Sequence, residues 1–399
     1  MPFKPTERVQ VVLWGERVGA LAPSPSQPNV MVFAYDPKWL RNGIEISPLL
    51  MPGRSSPYRF RYQDDTFMGL PPAIADALPD RFGNAVIDAD LARLGVPASQ
   101  VTALDRLAYL GNRAMGALEF VPDTGPSDPR PTAVDLSTLV IAAREAIEGS
   151  LSSETASEDA LRQIIAVGTS AGGARAKAVV AIDPDTGDVR PGNITVPDHY
   201  EHWILKFDGM GADSQLGASQ QYTRIEYAYS LMARDAGIEV PRTRLLEENN
   251  RAHFLVERFD RQLGEKQLTQ TLCAMAGLDY NLIDTHDYAQ LFNVARDLDV
   301  DQMQLLELFR RMAFNVAASN CDDHTKNHSF LLRKEGMWQI APAYDLTFAY
   351  RPGSTWVARH LMAVNGRREG ITTTDLMAVA DRFKIGPDPR SRESLANLR

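Results

Sequence analysis

The sequence predicts an α+β protein with two lobes, a small β-rich lobe and a mostly helical one, preceded by a further β-rich module. Short strand-like runs and turn signals dominate the chain up to about Val121. Three more apolar runs then flank one amphipathic helix. From about Leu268 onward, apolar residues recur at helical spacing around one strongly polar loop. Strands therefore precede helices, which is typical of an α+β fold.

The first elements read as a hairpin followed by a third strand. Val9–Leu13 predicts a strand, Trp14–Arg17 a turn, Val18–Leu21 the return and Val30–Tyr35 another strand. Residues 121–131 contain four prolines and one glycine, which neither a helix nor a central strand accommodates. We therefore predict a first module over residues 1–130.

The middle of the chain predicts a second module over residues 131–260. Its strands are expected at Ala176–Ile182, His202–Phe207 and Phe254–Phe259. Between the last two, Thr223–Glu226 has the spacing of a capping box, which predicts the start of a helix. Residues 261–399 then form a helical module, with two strands at Ser329–Leu332 and around Met337–Ile340.

The composition is that of a globular protein and excludes a wholly disordered or fibrous chain. Of 399 residues, 44% are hydrophobic and 23% are charged. The net charge of -9 disfavours unaided binding to a phosphate backbone. No apolar run suits a membrane span or a signal peptide, and the two cysteines fit a reducing compartment. We therefore expect a cytoplasmic protein that does not contact the membrane.

A glycine-rich segment, Val167–Lys177, is the first candidate for chemistry. Glycines let backbone amides approach an anion closely, so this segment could hold phosphates. It matches neither a Walker A loop nor a dinucleotide fingerprint, and a flexible loop explains it equally well. A strand-like run follows directly, as it does after the phosphate-covering loop of kinases.

A lysine inside an apolar strand is the second candidate. Lys206 lies inside the run Glu201–Phe207, where an ammonium group is costly unless it finds an anion. Kinases use such a strand lysine to hold nucleotide phosphates. The alternative is a lysine at a sheet edge that extends to solvent.

The polar loop Asp322–Asn327 is the most informative feature. Its Asp and Asn have the D-x-x-x-x-N spacing of a kinase catalytic loop, in which the Asp accepts the hydroxyl proton and the Asn ligates Mg²⁺. Asp345 follows the predicted hairpin, where a second Mg²⁺ ligand is expected. A His-bound hydrolytic metal at His324 and His328, or a loop of solvated charges, are the rival readings.

These motifs resemble the HipA-type serine/threonine kinases, the toxins of bacterial type II toxin–antitoxin pairs. The resemblance covers most of the chain. It rests on the segments Val18–Leu21, Phe33–Leu40, Leu107–Leu118, Val256–Arg261, Asp322–Asn327 and Tyr344–Asp345. It implies a bilobal protein-kinase-like fold with an N-terminal β-rich accessory module and a mostly helical C-terminal lobe.

The resemblance also implies a role for each matching residue. Asp322 would be the catalytic base, and Asn327 and Asp345 would ligate Mg²⁺. Ser170, with Thr169 beside it, would be a site of autophosphorylation. The residues expected to contact ATP are Gly172, Gly173, Ala174, Arg175, Ala176, Lys177, Lys206, Glu257, Arg258, Phe259, His324, Thr325, Lys326, Asn327, Tyr344 and Asp345. Glu257, Arg258 and Phe259 would be the hinge that holds adenine.

The partners implied are a helix-turn-helix antitoxin, a protein substrate in translation such as an aminoacyl-tRNA synthetase, and operator DNA reached only through the antitoxin. The alternatives are a small-molecule or lipid-type kinase, or an inactive member that acts as a regulatory binding module. Two departures stand out. Asp323 replaces the glycine common in relatives, and it could raise the pKa of Asp322 or recruit metal. The chain also ends soon after Gly386, so we expect part of the helical lobe to be missing.

Overall fold

A computed structural model describes residues 3–61, 66–126, 177–192, 196–208, 221–248, 251–262, 264–334 and 336–385. The chain divides into two compact units. The first comprises Met1–Ile46, Met51–Thr223 and Arg244–Leu268, and the second comprises Ser47–Leu50, Arg224–Thr243 and Thr269–Arg399.

The first unit opens with a five-stranded antiparallel sheet in the order β4-β3-β2-β1-β5. Its strands are β1 (Val9–Leu13), β2 (Glu16–Ser24), β3 (Gln27–Tyr35), β4 (Tyr58–Phe60) and β5 (Leu118–Val121). In β1, Val9, Val11 and Leu13 are fully buried, because alternate residues of a strand point to the same face. The predicted strand Val9–Leu13 and its return strand are confirmed.

A second five-stranded sheet, in the order β7-β6-β8-β10-β9, lies in the same unit. Its strands are β6 (Lys177–Ile182), β7 (Val189–Pro191), β8 (Glu201–Lys206), β9 (Thr243–Glu248) and β10 (Arg251–Glu257). These confirm the three predicted strands to within a few residues. β6 is buried along its whole length, and it packs in one core with residues of a helix at Arg81–Arg93.

Shorter elements complete the first unit. The helices are α1 (Pro72–Ala75), α2 (Arg81–Arg93) and α3 (Ala103–Leu110), and a small hairpin joins β11 (Arg261–Gln262) to β12 (Glu265–Lys266). The Thr102 side chain caps α3 by accepting a hydrogen bond from the Asp105 amide, and the Asp105 carboxylate accepts one from the Thr102 amide.

The second unit is built mainly from helices. They are α4 (Tyr222–Asp235, whose first two residues fall in the first unit), α5 (Leu272–Ala276), α6 (Tyr288–Asp297), α7 (Gln302–Ala317) and α8 (Thr373–Arg382). Asp287 and Asp301 cap α6 and α7, as short polar side chains do at helix starts. The buried faces of α6, α7 and α8 share one apolar core.

Two small sheets accompany these helices. β13 (Leu268–Thr271), β15 (Ser329–Leu332) and β16 (Trp338–Ile340) form one, and β14 (His286–Asp287) pairs with β17 (Met362–Ala363) in the other. The hairpin of β15 and β16 was predicted at these positions. Within the described residues, no helix is long and apolar enough to span a membrane.

One local prediction is wrong. Thr223 was expected to start a helix as the first member of a capping box with Glu226. Instead α4 already begins at Tyr222, and the Thr223 hydroxyl, which is buried, has no hydrogen-bond partner among the described residues. The predicted boundary near residue 130 lies outside the described residues, so the division into three modules stays a prediction.

A buried carboxylate links the ends of two segments in the first unit. Asp260 accepts hydrogen bonds from Arg258 (2.9 and 2.7 Å), from Arg261 (2.9 Å) and from the Gly116 amide (2.8 Å). Burial alone would raise the pKa of Asp260, but the two guanidinium groups hold it well below its ordinary value. The carboxylate is therefore ionised and balanced by the cations around it.

We predict that Asp260→Ala destabilises the first unit by about 3–5 kcal/mol, the usual cost of removing one partner from a buried ion pair. Arg258, which is 2% exposed, would be left without its anion. Urea unfolding followed by circular dichroism measures the change. Arg17→Ala is the matched control and should cost less, since the Arg17 side chain is 58% exposed and the Asp36 carboxylate would still accept a hydrogen bond from the Lys38 amide (2.8 Å). Equal effects of the two variants would contradict the prediction.

Candidate active site

The polar loop after α7 closes on itself. The Asn327 side-chain amide donates to the Asp322 carbonyl (2.7 Å), and the Asn327 backbone amide donates to the His324 carbonyl (2.9 Å). Residues Thr325–Asn327 form a single 3-10 turn. The spacing of five residues thus lets the Asn327 side chain hold the backbone of Asp322.

Asp322, the predicted catalytic base, is partly exposed but strongly surrounded by protein. One carboxylate oxygen, Oδ1, accepts a hydrogen bond from the Trp356 indole (2.7 Å) and lies 3.8 Å from Nε2 of His324. Withdrawal from water raises the pKa of Asp322, and the charges of Asp345 and Asp323 add to the rise. His324 and Trp356 oppose that shift. A carboxylate with a raised pKa is a better proton acceptor near neutral pH.

Asp323 has a different environment from its neighbour. Its carboxylate is fully buried, and it accepts hydrogen bonds from the Tyr288 hydroxyl (2.9 Å), the His360 ring (2.9 Å) and the Leu361 amide (2.8 Å). A weaker contact comes from the Met362 amide at 3.4 Å. The protein therefore already satisfies both carboxylate oxygens, which argues against the metal-ligand alternative. The alternative that Asp323 raises the pKa of Asp322 agrees with the structure, because the charge of Asp323 contributes to that rise.

The Asp323 contacts continue into α6 and α7. The Asn315 side chain donates to the Tyr288 hydroxyl (2.9 Å), and the Asn320 side chain donates to Asn315 (2.9 Å). All these residues are buried. Buried polar groups that satisfy one another fix a unique arrangement, so this chain of hydrogen bonds holds the loop against two helices.

The Asp323–His360 contact is a buried ion pair. Burial alone would lower the pKa of His360, but the hydrogen bond to Asp323 and the contact with Cys321 outweigh it and raise the pKa to about 10. His360 is therefore a cation near neutral pH. His328, which is also buried, is the opposite case, because burial lowers its pKa to about 4.

Three other predicted site residues, Thr325 and Lys326 in the loop and Tyr344 after it, have contacts that hold the loop together. Thr325 is fully buried and donates to the Leu278 carbonyl (3.1 Å). The Tyr344 hydroxyl donates to the Lys326 carbonyl (2.7 Å), and the Lys326 ammonium lies 4.7 Å from the centre of the Tyr280 ring. The nucleotide contact of Thr325 stays a prediction, and its hydroxyl attaches the loop to Leu278.

The oxygen groups near Asp322 suit magnesium. The Asn327 Nδ2–H group donates its hydrogen bond to the loop backbone. The Oδ1 atom of the same side chain accepts no hydrogen bond from a described residue, so it remains available as a ligand. Asp345 is near enough for its charge to raise the pKa of Asp322, and its φ of +52° is an uncommon conformation that often marks a functional position. Mg²⁺ prefers few protein oxygens plus water and phosphate, so this donor set fits the ion. No described cluster of three or more His, Cys, Asp or Glu is arranged to hold a metal.

In the first unit, two of the predicted phosphate contacts are neighbours. β6 and β8 pair so that Lys177 lies directly opposite Lys206. The Lys206 ammonium lies 5.8 Å from the centre of the Phe254 ring, and Lys177 is 4% exposed. Residues directly opposite each other on paired strands lie on the same face of the sheet, so this register brings two of the predicted phosphate contacts together.

The predicted hinge begins at the last residue of β10, and Arg258 has a clear structural role. The Arg258 backbone amide donates to the His202 carbonyl (2.9 Å), and its side chain pairs with Asp260. The hinge assignment of Glu257, Arg258 and Phe259 stays a prediction. The predicted phosphate-loop residues Gly172, Gly173, Ala174, Arg175 and Ala176 lie outside the described residues, as do Ser170 and Thr169.

The sequence did not single out Trp356, His360 or Tyr288. Tyr288 and Asn315 carried a weak signal, because each is a polar group on the apolar face of a helix. Trp356 and His360 carried none, since both act on residues more than 30 positions earlier in the chain.

We predict that the second unit loses stability as the pH rises from about 6.5 to 10. His360 has a folded-state pKa of about 10, above its ordinary value near 6.5. Its contribution is thus complete below pH 6.5 and is lost as the folded-state group deprotonates. Urea unfolding at a series of pH values measures the slope. His360→Gln should flatten it, whereas His199→Gln, at a side chain 57% exposed, should leave it unchanged. A His360→Gln slope equal to wild type would contradict the assignment.

Comparisons with known proteins agree with this architecture. The N-terminal domain of HipA matches residues 9–121, and the HipA-like C-terminal domain matches residues 169–398. Y4mE of Sinorhizobium fredii, whose name proposes a kinase, is 26% identical over 351 residues, covering 80% of this chain and 72% of that protein.

One solved structure covers nearly the whole chain. The HipA toxin of Shewanella oneidensis, in complex with HipB and its operator DNA, matches with a TM-score of 0.68 at 17% identity, over 98% of this chain and 88% of its own. At that identity the likeness shows the fold. Because the C-terminal family domain alone spans more than half of the residues, the chain belongs to the HipA family.

Proposed function

We propose that this protein is an ATP- and Mg²⁺-dependent serine/threonine protein kinase of a toxin–antitoxin system. The observation that carries the proposal is the loop 322–327, in which Asn327 fixes the backbone of Asp322 (2.7 Å) beside a second carboxylate at Asp345. A D-x-x-x-x-N loop with a later Asp is the arrangement that phosphoryl transfer uses.

In this proposal, residues of the second unit handle the acceptor. Asp322 orients the substrate hydroxyl and accepts its proton, for which its raised pKa suits it. Asn327 Oδ1 and the Asp345 carboxylate would hold Mg²⁺, which neutralises charge on the phosphates when bound. Residues of the first unit, Lys177 and Lys206 with their facing register, would bind the phosphates of the nucleotide.

The partner follows from charge and from the family. A HipA protein of known structure assembles with HipB and operator DNA. This chain has a net charge of -9, which disfavours direct contact with DNA phosphates. We propose that a small helix-turn-helix antitoxin binds this protein and supplies the DNA contact, and that the kinase acts on a translation component such as an aminoacyl-tRNA synthetase in the cytoplasm. We also propose that Ser170, or Thr169 beside it, is autophosphorylated.

We predict that Asp322→Asn lowers phosphate transfer by about 10²–10⁴-fold, the usual contribution of a general base. The amide cannot accept the hydroxyl proton, but it keeps the shape of the side chain. The measurement is transfer from γ-labelled ATP to the proteins of a cell lysate, followed on gels. Asp381→Asn, an exposed carboxylate of α8, is the matched control and should behave like wild type. Affinity for a fluorescent ATP analogue should change little in either variant.

The outcomes separate the alternatives. Label that enters only small molecules would overturn the protein-kinase proposal in favour of a small-molecule or lipid-type kinase. Growth inhibition that persists in Asp322→Asn, with no transfer by wild type, would indicate a regulatory binding module. Intact-mass measurement of wild type after incubation with Mg-ATP reports the autophosphorylation, and Ser170→Ala assigns it to Ser170 or to Thr169.

A further inference from the structure

Both ends of the segment 349–361 are hydrogen-bonded to Cys321, the residue directly before the loop. The Cys321 amide donates to the Ala349 carbonyl (3.2 Å), and the Leu361 amide donates to the Cys321 carbonyl (3.2 Å). Both ends of the segment are thus attached to the residue that directly precedes Asp322. We call residues 349–361 the brace.

The middle of the brace folds into a compact turn that presents Trp356. The Ser354 hydroxyl oxygen accepts hydrogen bonds from the Trp356 and Val357 amides (3.1 Å each). The Arg351 amide donates to the Val357 carbonyl (3.0 Å), and Val357 is 3% exposed. The position of the indole is therefore set by the backbone of the turn and not only by its own rotamer.

Trp356 contacts one oxygen of the candidate base. Its Nε1–H donates to Oδ1 of Asp322 at 2.7 Å, a length typical of hydrogen bonds to a charged acceptor. Among the described residues, none donates to Oδ2 of the same carboxylate. One oxygen is thus held by the protein, and the other has no donor among the described residues.

The ring surroundings support the same placement. The centres of the Trp356 and His324 rings are 6.2 Å apart, and the Tyr280 ring lies 6.5 Å from Trp356 and 5.3 Å from His324. The two contacts of Trp356 are edge-to-face, whereas the Tyr280 and His324 rings are tilted by 48°, and edge-to-face contacts favour particular ring orientations. The indole is therefore restrained by ring contacts as well as at its N–H.

We propose that Trp356 is a positioning residue for phosphate transfer, which holds the Asp322 carboxylate in the rotamer that directs Oδ2 toward the substrate hydroxyl. This inference rests on the proposed kinase function. In the step, Oδ2 receives the hydroxyl proton while the substrate oxygen bonds to the γ-phosphorus of ATP. The bond from that phosphorus to the bridging oxygen breaks, and ADP leaves.

The test compares Trp356→Phe with Trp338→Phe. The first removes the N–H donor and keeps an aromatic ring, and the second makes the same change at a partly buried indole of β16. Trp356→Phe should lower kcat for transfer from labelled ATP by about ten- to a hundredfold, the worth of a hydrogen bond to a charged group. The KM for ATP and the melting temperature should stay near wild type, and Trp338→Phe should keep full kcat.

Ser354→Ala provides a second variant in case Trp356→Phe folds poorly. This variant removes the acceptor that shapes the turn but keeps the Trp356 side chain. It should therefore also lower kcat, by a smaller factor than Trp356→Phe. Wild-type kcat in both Trp356→Phe and Ser354→Ala would overturn the inference. A loss in Trp356→Phe that Trp338→Phe shares equally would also overturn it, because a general effect on folding would then explain it.

A measurement without nucleotide tests the contact itself. The protein has 5 tryptophans, and the indole N–H signal that Trp356→Phe removes from a ¹H–¹⁵N spectrum belongs to Trp356. Asp322→Ala should shift that signal upfield, since the charged acceptor is gone. An unmoved signal would overturn the inference. Absence of any transfer by wild type would instead contradict the proposed function, while the shift would still report the Trp356–Asp322 contact.

Discussion

The buried carboxylate of Asp323 is the interaction on which the arrangement of the second unit depends. An ionised group removed from water is costly unless charged and hydrogen-bonding partners surround it. Here Tyr288, His360 and the Leu361 amide supply them within 2.9 Å. Because these donors come from α6 and from the two residues just before β17, satisfying one carboxylate fixes the loop, α6 and that segment together. Asp322 inherits its position from that requirement.

The two adjacent aspartates show how the surroundings divide roles between identical side chains. Asp323 is saturated with donors, so its side chain holds the loop and its charge contributes to the raised pKa of Asp322. Asp322 keeps 38% of its side chain exposed and has one oxygen held by Trp356. In the first unit, Asp260 has the structural role instead, and it links the segments at Gly116 and Arg258. Both segments were among those that carried the family resemblance.

Local patterns predicted the elements and the candidate base, but not the contacts that hold them. Alternation in Val9–Leu13 and the D-x-x-x-x-N spacing depend on neighbours in the chain, so the sequence displays them directly. The contacts of Trp356 with Asp322 and of His360 with Asp323 depend on how a distant segment folds back, and no spacing rule reports that. The capping box predicted at Thr223 was wrong because a suitable local sequence does not by itself determine where a helix begins, and this helix begins at Tyr222.

The central claim is that Asp323 holds the loop in the geometry that lets Asp322 act. The most direct test is transfer from labelled ATP by Asp323→Asn compared with Asp375→Asn, each expressed per folded molecule. Asp375 is also a buried carboxylate that accepts hydrogen bonds, from Thr372 at the start of α8. An amide at 323 would place N–H groups against existing donors, so we expect a loss of about 10²-fold, as small misplacements cause. Asp375→Asn should lower only stability, and equal transfer by the two variants would contradict the account.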